Sequence, residues 1–111
     1  MKKKLNKIAV IGLGYVGLPL AIEFSKFFTT VGYDESKKRI SELNQGIDNT
    51  NEINDRNFHK SKKLLFTYNK NEIRSSNIYI LAVPTPLNKK NEPDLSLIDK
   101  AIRTVSRHLN Q

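Results

Sequence analysis

The chain has 111 residues, a formal net charge of +8 and no cysteine. That length suits one small domain, and the lack of cysteine excludes disulfides and thiol nucleophiles. The basic balance does not call for a nucleic-acid partner. Lys and Asn are spread over many segments, and no RNP, zinc-finger or helix-turn-helix pattern occurs.

Met1-Lys2-Lys3-Lys4 followed by an apolar stretch mimics a secretory leader. Gly12, Gly14, Gly17 and Pro19 interrupt that stretch, Glu23 ends it, and no small-residue cleavage site follows. The leader is therefore rejected. No run is long enough to span a membrane, so a cytoplasmic protein with no membrane partner is expected.

Ile8–Ile11 reads as a first, fully buried parallel strand. Gly12-Leu13-Gly14-Tyr15-Val16-Gly17 comes next and opens a helical stretch. Its spacing is that of the dinucleotide-binding loop. Gly12 permits the tight turn out of the strand, Gly14 lets a pyrophosphate approach the backbone, and Gly17 lets the helix pack close to the strand. The helix N-terminus then turns its N–H groups and positive dipole end toward the phosphates. The helix is predicted from about Gly14 to Phe27, with Val16, Leu20, Phe24 and Phe27 or Phe28 on one face and Pro19 within about the first turn. Thr29–Tyr33 is a second short strand ending at Asp34. A carboxylate at that strand end accepts hydrogen bonds from the adenosine ribose hydroxyls and repels a 2′-phosphate, which favours NAD over NADP.

Ser36 can cap a helix over Lys37–Gln45, with Ile40 and Leu43 inward and Gly46 at its C-terminal end. Cations in the first turn oppose the helix dipole. For Arg39 a ligand role and a solvated basic face both stay open, while Lys37 and Lys38 read as solvated. Asp48–Lys63 is polar and Asn-rich, a loop with one helical turn after Asp55. Leu64–Thr67 is a third strand, and Asn69–Ser75 is a connection with a single helical turn around Glu72 and Ile73. Ile78–Val83 is a fourth strand, continuous and apolar and hence expected to be central. Pro84 and Pro86 stop it, and Asn88–Pro93 is a turn-rich loop. A last helix runs from Asp94 or Ser96 to Leu109, with Ile98, Ala101, Ile102, Val105 and Leu109 on one face. The alternation predicts an α/β fold: a Rossmann-type, doubly wound, mainly parallel sheet of about four strands in order 3-2-1-4. The second half of such a domain is missing, so residues 1–111 are expected to be an incomplete cofactor domain. His59 and His108 show no metal or triad pattern.

Gly12-Leu13-Gly14-Tyr15-Val16-Gly17-Leu18-Pro19, with Tyr33-Asp34, Arg39-Ile40 and Val83-Pro84-Thr85-Pro86, resembles the N-terminal NAD-binding domain of the UDP-glucose/GDP-mannose dehydrogenase family. The resemblance covers nearly the whole chain. It implies NAD as cofactor and a cofactor-binding set of Gly12, Leu13, Gly14, Tyr15, Val16, Gly17, Asp34, Arg39, Val83, Pro84, Thr85 and Pro86. Arg39 is then expected to pack its guanidinium on the adenosine. The Thr85 hydroxyl is expected near ribose or nicotinamide atoms. Tyr15 either packs near the pyrophosphate or fills a structural role. Asp48-Asn49-Thr50-Asn51-Glu52-Ile53 looks more like the branch acting on UDP-N-acetylhexosamines.

The family oxidises the C6 alcohol of a UDP-sugar to a uronate for surface polysaccharides, in two NAD-dependent steps through a cysteine thiol in a later part of the chain. Whole enzymes of this family often dimerise. No catalytic residue is therefore expected in these 111 residues, and the chain reads as a fragment of a larger, homo-oligomeric enzyme. Two other readings share the glycine loop: a non-catalytic NAD-sensing regulatory module, and a Rossmann dehydrogenase of the β-hydroxyacid type. The GYVGLP run and the V-P-T-P element favour the nucleotide-sugar dehydrogenase reading over both.

Overall fold

A computed structural model describes residues 6–47 and 63–109. Its elements are β1 (Lys7–Ile11), α1 (Gly17–Ser25), β2 (Thr29–Tyr33), α2 (Lys37–Asn44), β3 (Leu64–Thr67), a 3-10 turn (Lys70–Ile73), β4 (Ile78–Leu81) and α3 (Ser96–Arg107). The strands form one four-stranded sheet in order β3-β2-β1-β4, with every ladder parallel. The expected order is thus found. The loop expected over Asp48–Lys63, with its family-branch segment, lies outside the described residues except for Lys63.

β1 is the centre of the packing. Its side chains alternate between the two faces of the sheet, as the pleat requires. Ile8 and Val10 join Leu13, Leu18, Ala21, Ile40, Leu43, Leu64 and Phe66 under α1 and α2. Ala9 and Ile11 join Val31, Tyr33, Ile73 and Ala101 under α3 and the 3-10 turn. Both faces are covered, which is why Ile8–Ile11 is an uninterrupted apolar run. Each such fully buried aliphatic side chain stabilises the fold by about 1.5–3 kcal/mol.

The α2 expectation holds in detail. The Ser36 hydroxyl accepts from the Arg39 N–H at 3.1 Å, Ile40 and Leu43 are buried, and Gly46 follows with φ +80°. The 3-10 turn also falls where one was expected, capped by the Asn69 side chain.

Three expectations need correction. First, α1 begins at Gly17, not Gly14, because residues 14–16 still belong to the turn. Its buried face is Gly17, Leu18, Ala21 and Ser25, while Val16 and Phe27 are exposed. The seam is one of small residues at i, i+4 and i+8, because Gly17 brings the helix too close to the sheet for large side chains there. Second, β4 ends at Leu81, although the Ala82 N–H still donates to Ile11 O at 2.8 Å. Among the described residues β4 is an edge strand rather than a central one, and Ile78 and Leu81 are exposed. Third, α3 turns Ala101 and Thr104 inward and leaves Ile102 exposed, while Leu109 lies past the helix end. A face chosen by hydrophobicity alone missed the small Thr that fits against the sheet.

Among the described residues no helix is long and apolar enough to cross a membrane.

Candidate cofactor cleft

The turn after β1 is shaped by its glycines, each for a different reason. Gly12 adopts φ +100°, which L side chains rarely enter, and its N–H donates to Tyr33 O at 2.8 Å. A Cβ on Gly17 would stand 1.7 Å from the Gly12 carbonyl oxygen. A Cβ on Gly14 would meet nothing within 4 Å. So Gly12 serves the turn, Gly17 serves the close contact of helix and strand, and Gly14 keeps a space open that the fold itself does not fill. Among the described residues, the N–H groups of Gly14, Tyr15 and Val16 find no acceptor. They stand at the positive end of α1, where an anion is favoured.

Leu13 ties this turn to the next element. Its side chain is fully buried, packed over Gly32, where a Cβ would approach the Leu13 methyl groups to 3.0 Å. Its backbone is held from both ends. The Leu13 N–H donates to Asp34 Oδ2 at 3.0 Å, and its carbonyl accepts from Arg39 Nε at 2.8 Å. The second Asp34 oxygen, Oδ1, accepts from the Ser36 N–H at 2.9 Å. The carboxylate is therefore fixed by two backbone donors, and each oxygen keeps a lone pair for a further donor such as a ribose hydroxyl.

These residues border a cleft of about 390 Å³ at the C-terminal ends of β1, β2 and β4. In open parallel sheets this is where ligands bind. Of the sequence-derived set, the structure places Gly12, Leu13, Gly14, Asp34, Arg39, Val83 and Pro84 on the cleft wall. It does not bring Tyr15, Val16, Gly17, Thr85 or Pro86 there. Tyr15 and Val16 are two-thirds exposed beside the glycine turn, Gly17 is buried under the helix, and Thr85 and Pro86 are exposed beyond the wall.

The cleft wall also holds residues that sequence reasoning missed. Tyr33, Glu35 and Ser36 come from the end of β2, and Leu97, Lys100, Ala101 and Thr104 come from α3. A small-residue face on α3 was the one available signal for Ala101 and Thr104. Burial, followed by the neighbouring Glu35 and Asp34 carboxylates, pushes the Tyr33 phenol above its ordinary pKa. Tyr33 is thus a neutral wall. Gly32 too was missed, although a glycine inside a strand marks a close approach. No cluster of three or more His, Asp or Glu able to hold a metal occurs among the described residues.

A profile described as "UDP-glucose/GDP-mannose dehydrogenase family, NAD binding domain" matches residues 6–111. The chain belongs to this family. It is 48% identical over 105 residues to a UDP-N-acetyl-D-glucosamine 6-dehydrogenase of Salmonella typhi, covering 95% of this chain and 25% of that protein. The corresponding protein of Pseudomonas aeruginosa is 44% identical over 105 residues, with the same coverage. Among solved structures, a UDP-N-acetyl-mannosamine dehydrogenase of Staphylococcus aureus superposes with a TM-score of 0.85 at 30% identity, covering 96% of this chain and 27% of that one. The chain thus spans about a quarter of the length of the relatives it matches. The family is one of NAD-binding domains, and the cleft lies at the strand ends where ligands bind in such sheets.

Proposed function

We propose that residues 1–111 form the NAD-binding part of a longer enzyme that oxidises the C6 alcohol of a UDP-sugar. The observation that carries this reading is the combination at the neighbouring ends of β1 and β2: an unfilled space at Gly14, donors at the α1 N-terminus, and a carboxylate already fixed at Asp34. The Gly12–Gly17 turn would hold the pyrophosphate, Asp34 the adenosine ribose, and Val83, Pro84 and the α3 wall the adenine side. Tyr15, Val16, Thr85 and Pro86, lying just outside the cleft, would border the remainder of the dinucleotide. Bound NAD supplies a hydride acceptor. The chain's own residues bind and orient it. The UDP-N-acetylhexosamine dehydrogenases among the relatives favour a UDP-N-acetylhexosamine as the sugar.

The reading assigns the substrate chemistry elsewhere. Taking an alcohol to an acid through a held aldehyde needs a nucleophile to carry the intermediate, and these 111 residues hold no cysteine. The purified chain is therefore expected to give no steady NADH production from NAD with UDP-N-acetylglucosamine, UDP-N-acetylgalactosamine or UDP-glucose, followed by absorbance. Turnover abolished by Gly14→Val would contradict this assignment.

Asp34→Ala removes the ribose acceptor and the partner of the Leu13 N–H. Charge-assisted hydrogen bonds contribute about 1.5–3 kcal/mol, so NADH affinity is expected to fall by roughly ten- to a hundredfold. NADPH should lose less, and the gap between the two should narrow. Fluorescence titration of both cofactors checks this. An unchanged NADH affinity would remove Asp34 from the site.

A further inference from the structure

The cleft wall carries four charged side chains: Asp34, Glu35, Arg39 and Lys100. Their charges cancel in a chain whose formal net charge is +8. The two cations are both engaged from within the chain. Arg39 Nε donates to Leu13 O at 2.8 Å, and Lys100 Nζ lies 2.6 Å from Glu35 Oε2. Lys37 is drawn away altogether, with its ammonium 5.4 Å from the centroid of the Tyr68 ring. Glu35 directly follows the ribose-binding position, and Lys100 reaches it from α3 across the cleft.

We propose that Glu35 is a second determinant of the preference for NAD over NADP, acting by holding Lys100. The proposal rests on the NAD reading of this cleft. A 2′-phosphate brings about two negative charges and strong acceptor oxygens, and an ammonium is a strong point-charge binder of phosphate. Lys100 is the cation on the α3 wall that could receive it. While Glu35 keeps that ammonium, the 2′-phosphate meets the fixed Asp34 carboxylate with no compensating charge released. Asp34 acts by repulsion at the ribose, and Glu35 acts by occupying the cation. Arg39 cannot take over cheaply, because its Nε supports the glycine turn through Leu13.

The mechanism differs from simple repulsion by Glu35, and a double-mutant cycle separates the two. NADH and NADPH are titrated against the unaltered chain, Glu35→Gln, Lys100→Met and the double variant, at low ionic strength and at 0.5 M salt. Both side chains are more than half exposed, so thermal melts are expected to overlay and to verify that all four chains are folded. Glu35→Gln is expected to improve NADPH binding relative to NADH by about three- to fivefold at low salt, the scale of an exposed charge pair. The gain should shrink at 0.5 M salt. In the double variant the ratio should return to that of Lys100→Met alone. An unmoved ratio in Glu35→Gln would overturn the proposal. So would a gain that survives in the double variant, which would mean direct repulsion without Lys100. If the unaltered chain bound no NADH, the NAD reading itself would fall. An unmoved ratio beside intact NADH binding would sink the proposal alone.

Discussion

Gly17→Ala is expected to destabilise the domain by at least about 3 kcal/mol, beyond the usual cost of overpacking. The added Cβ would stand 1.7 Å from the Gly12 carbonyl oxygen, 2.8 Å from its carbon and 3.2 Å from the Ala82 Cβ. The nearest atoms are backbone, so no side-chain rotation relieves the clash. Either α1 must lift from the sheet or the Gly12 turn must move. Lifting α1 opens the seam of Leu18, Ala21 and Ser25. Moving the turn breaks the Gly12 N–H bond to Tyr33 O. For a domain of this size the loss corresponds to a melting temperature lower by roughly 12 °C or more. Thermal unfolding followed by circular dichroism measures it. A melt within a few degrees of the unaltered chain would show that the helix does not need this approach.

Gly14→Val is expected to do the opposite: keep the fold and lose the ligand. A Cβ there meets nothing within 4 Å, and Gly14 is not among the positive-φ glycines. The melt should stay within a few degrees of the unaltered chain. The isopropyl group would fill the space proposed for a pyrophosphate beside the backbone N–H donors. NADH affinity is expected to fall by at least tenfold, about 1.4 kcal/mol or more. Loss of stability would mean that Gly14 is a folding glycine like Gly17. Unchanged affinity would mean that no phosphate comes close to it. Two glycines three positions apart in one motif are thus predicted to fail in different assays, which a purely structural turn would not do.

The strand order, the parallel ladders and the α2 cap were legible because they rest on local signals. Ile8–Ile11 is a two-sided buried run, Ser36 precedes the basic start of α2, and Gly46 sits at its end. The turn at Gly12 and the close helix–strand contact at Gly17 were legible for the same reason, since the motif encodes a backbone shape. The inward face of α1 was not, because a large-residue pattern suggests Val16 and Phe27, whereas the contact at Gly17 selects small residues. Nor was the edge position of β4, since an apolar run looks the same whether its neighbours are one strand or two. The charges of the cleft were least legible. Arg39 meets Leu13 across 26 positions, and Lys100 meets Glu35 from another element altogether. Only the closed sheet and its helices bring these groups together, so spacing along the chain gives no sign of them. For Arg39 the sequence leaves a ligand role and a solvated basic face open, and the structure shows it supporting the turn through Leu13 O.

The most direct test of the account is an amide NMR titration of the unaltered chain with NADH up to millimolar concentration. The account predicts saturable shifts at Gly12 to Gly17, at Asp34 and Ser36, at Val83, and at Leu97 to Thr104 on α3. A folded spectrum that NADH leaves unmoved, or shifts confined to Thr67–Asn71 beyond β3, would contradict it.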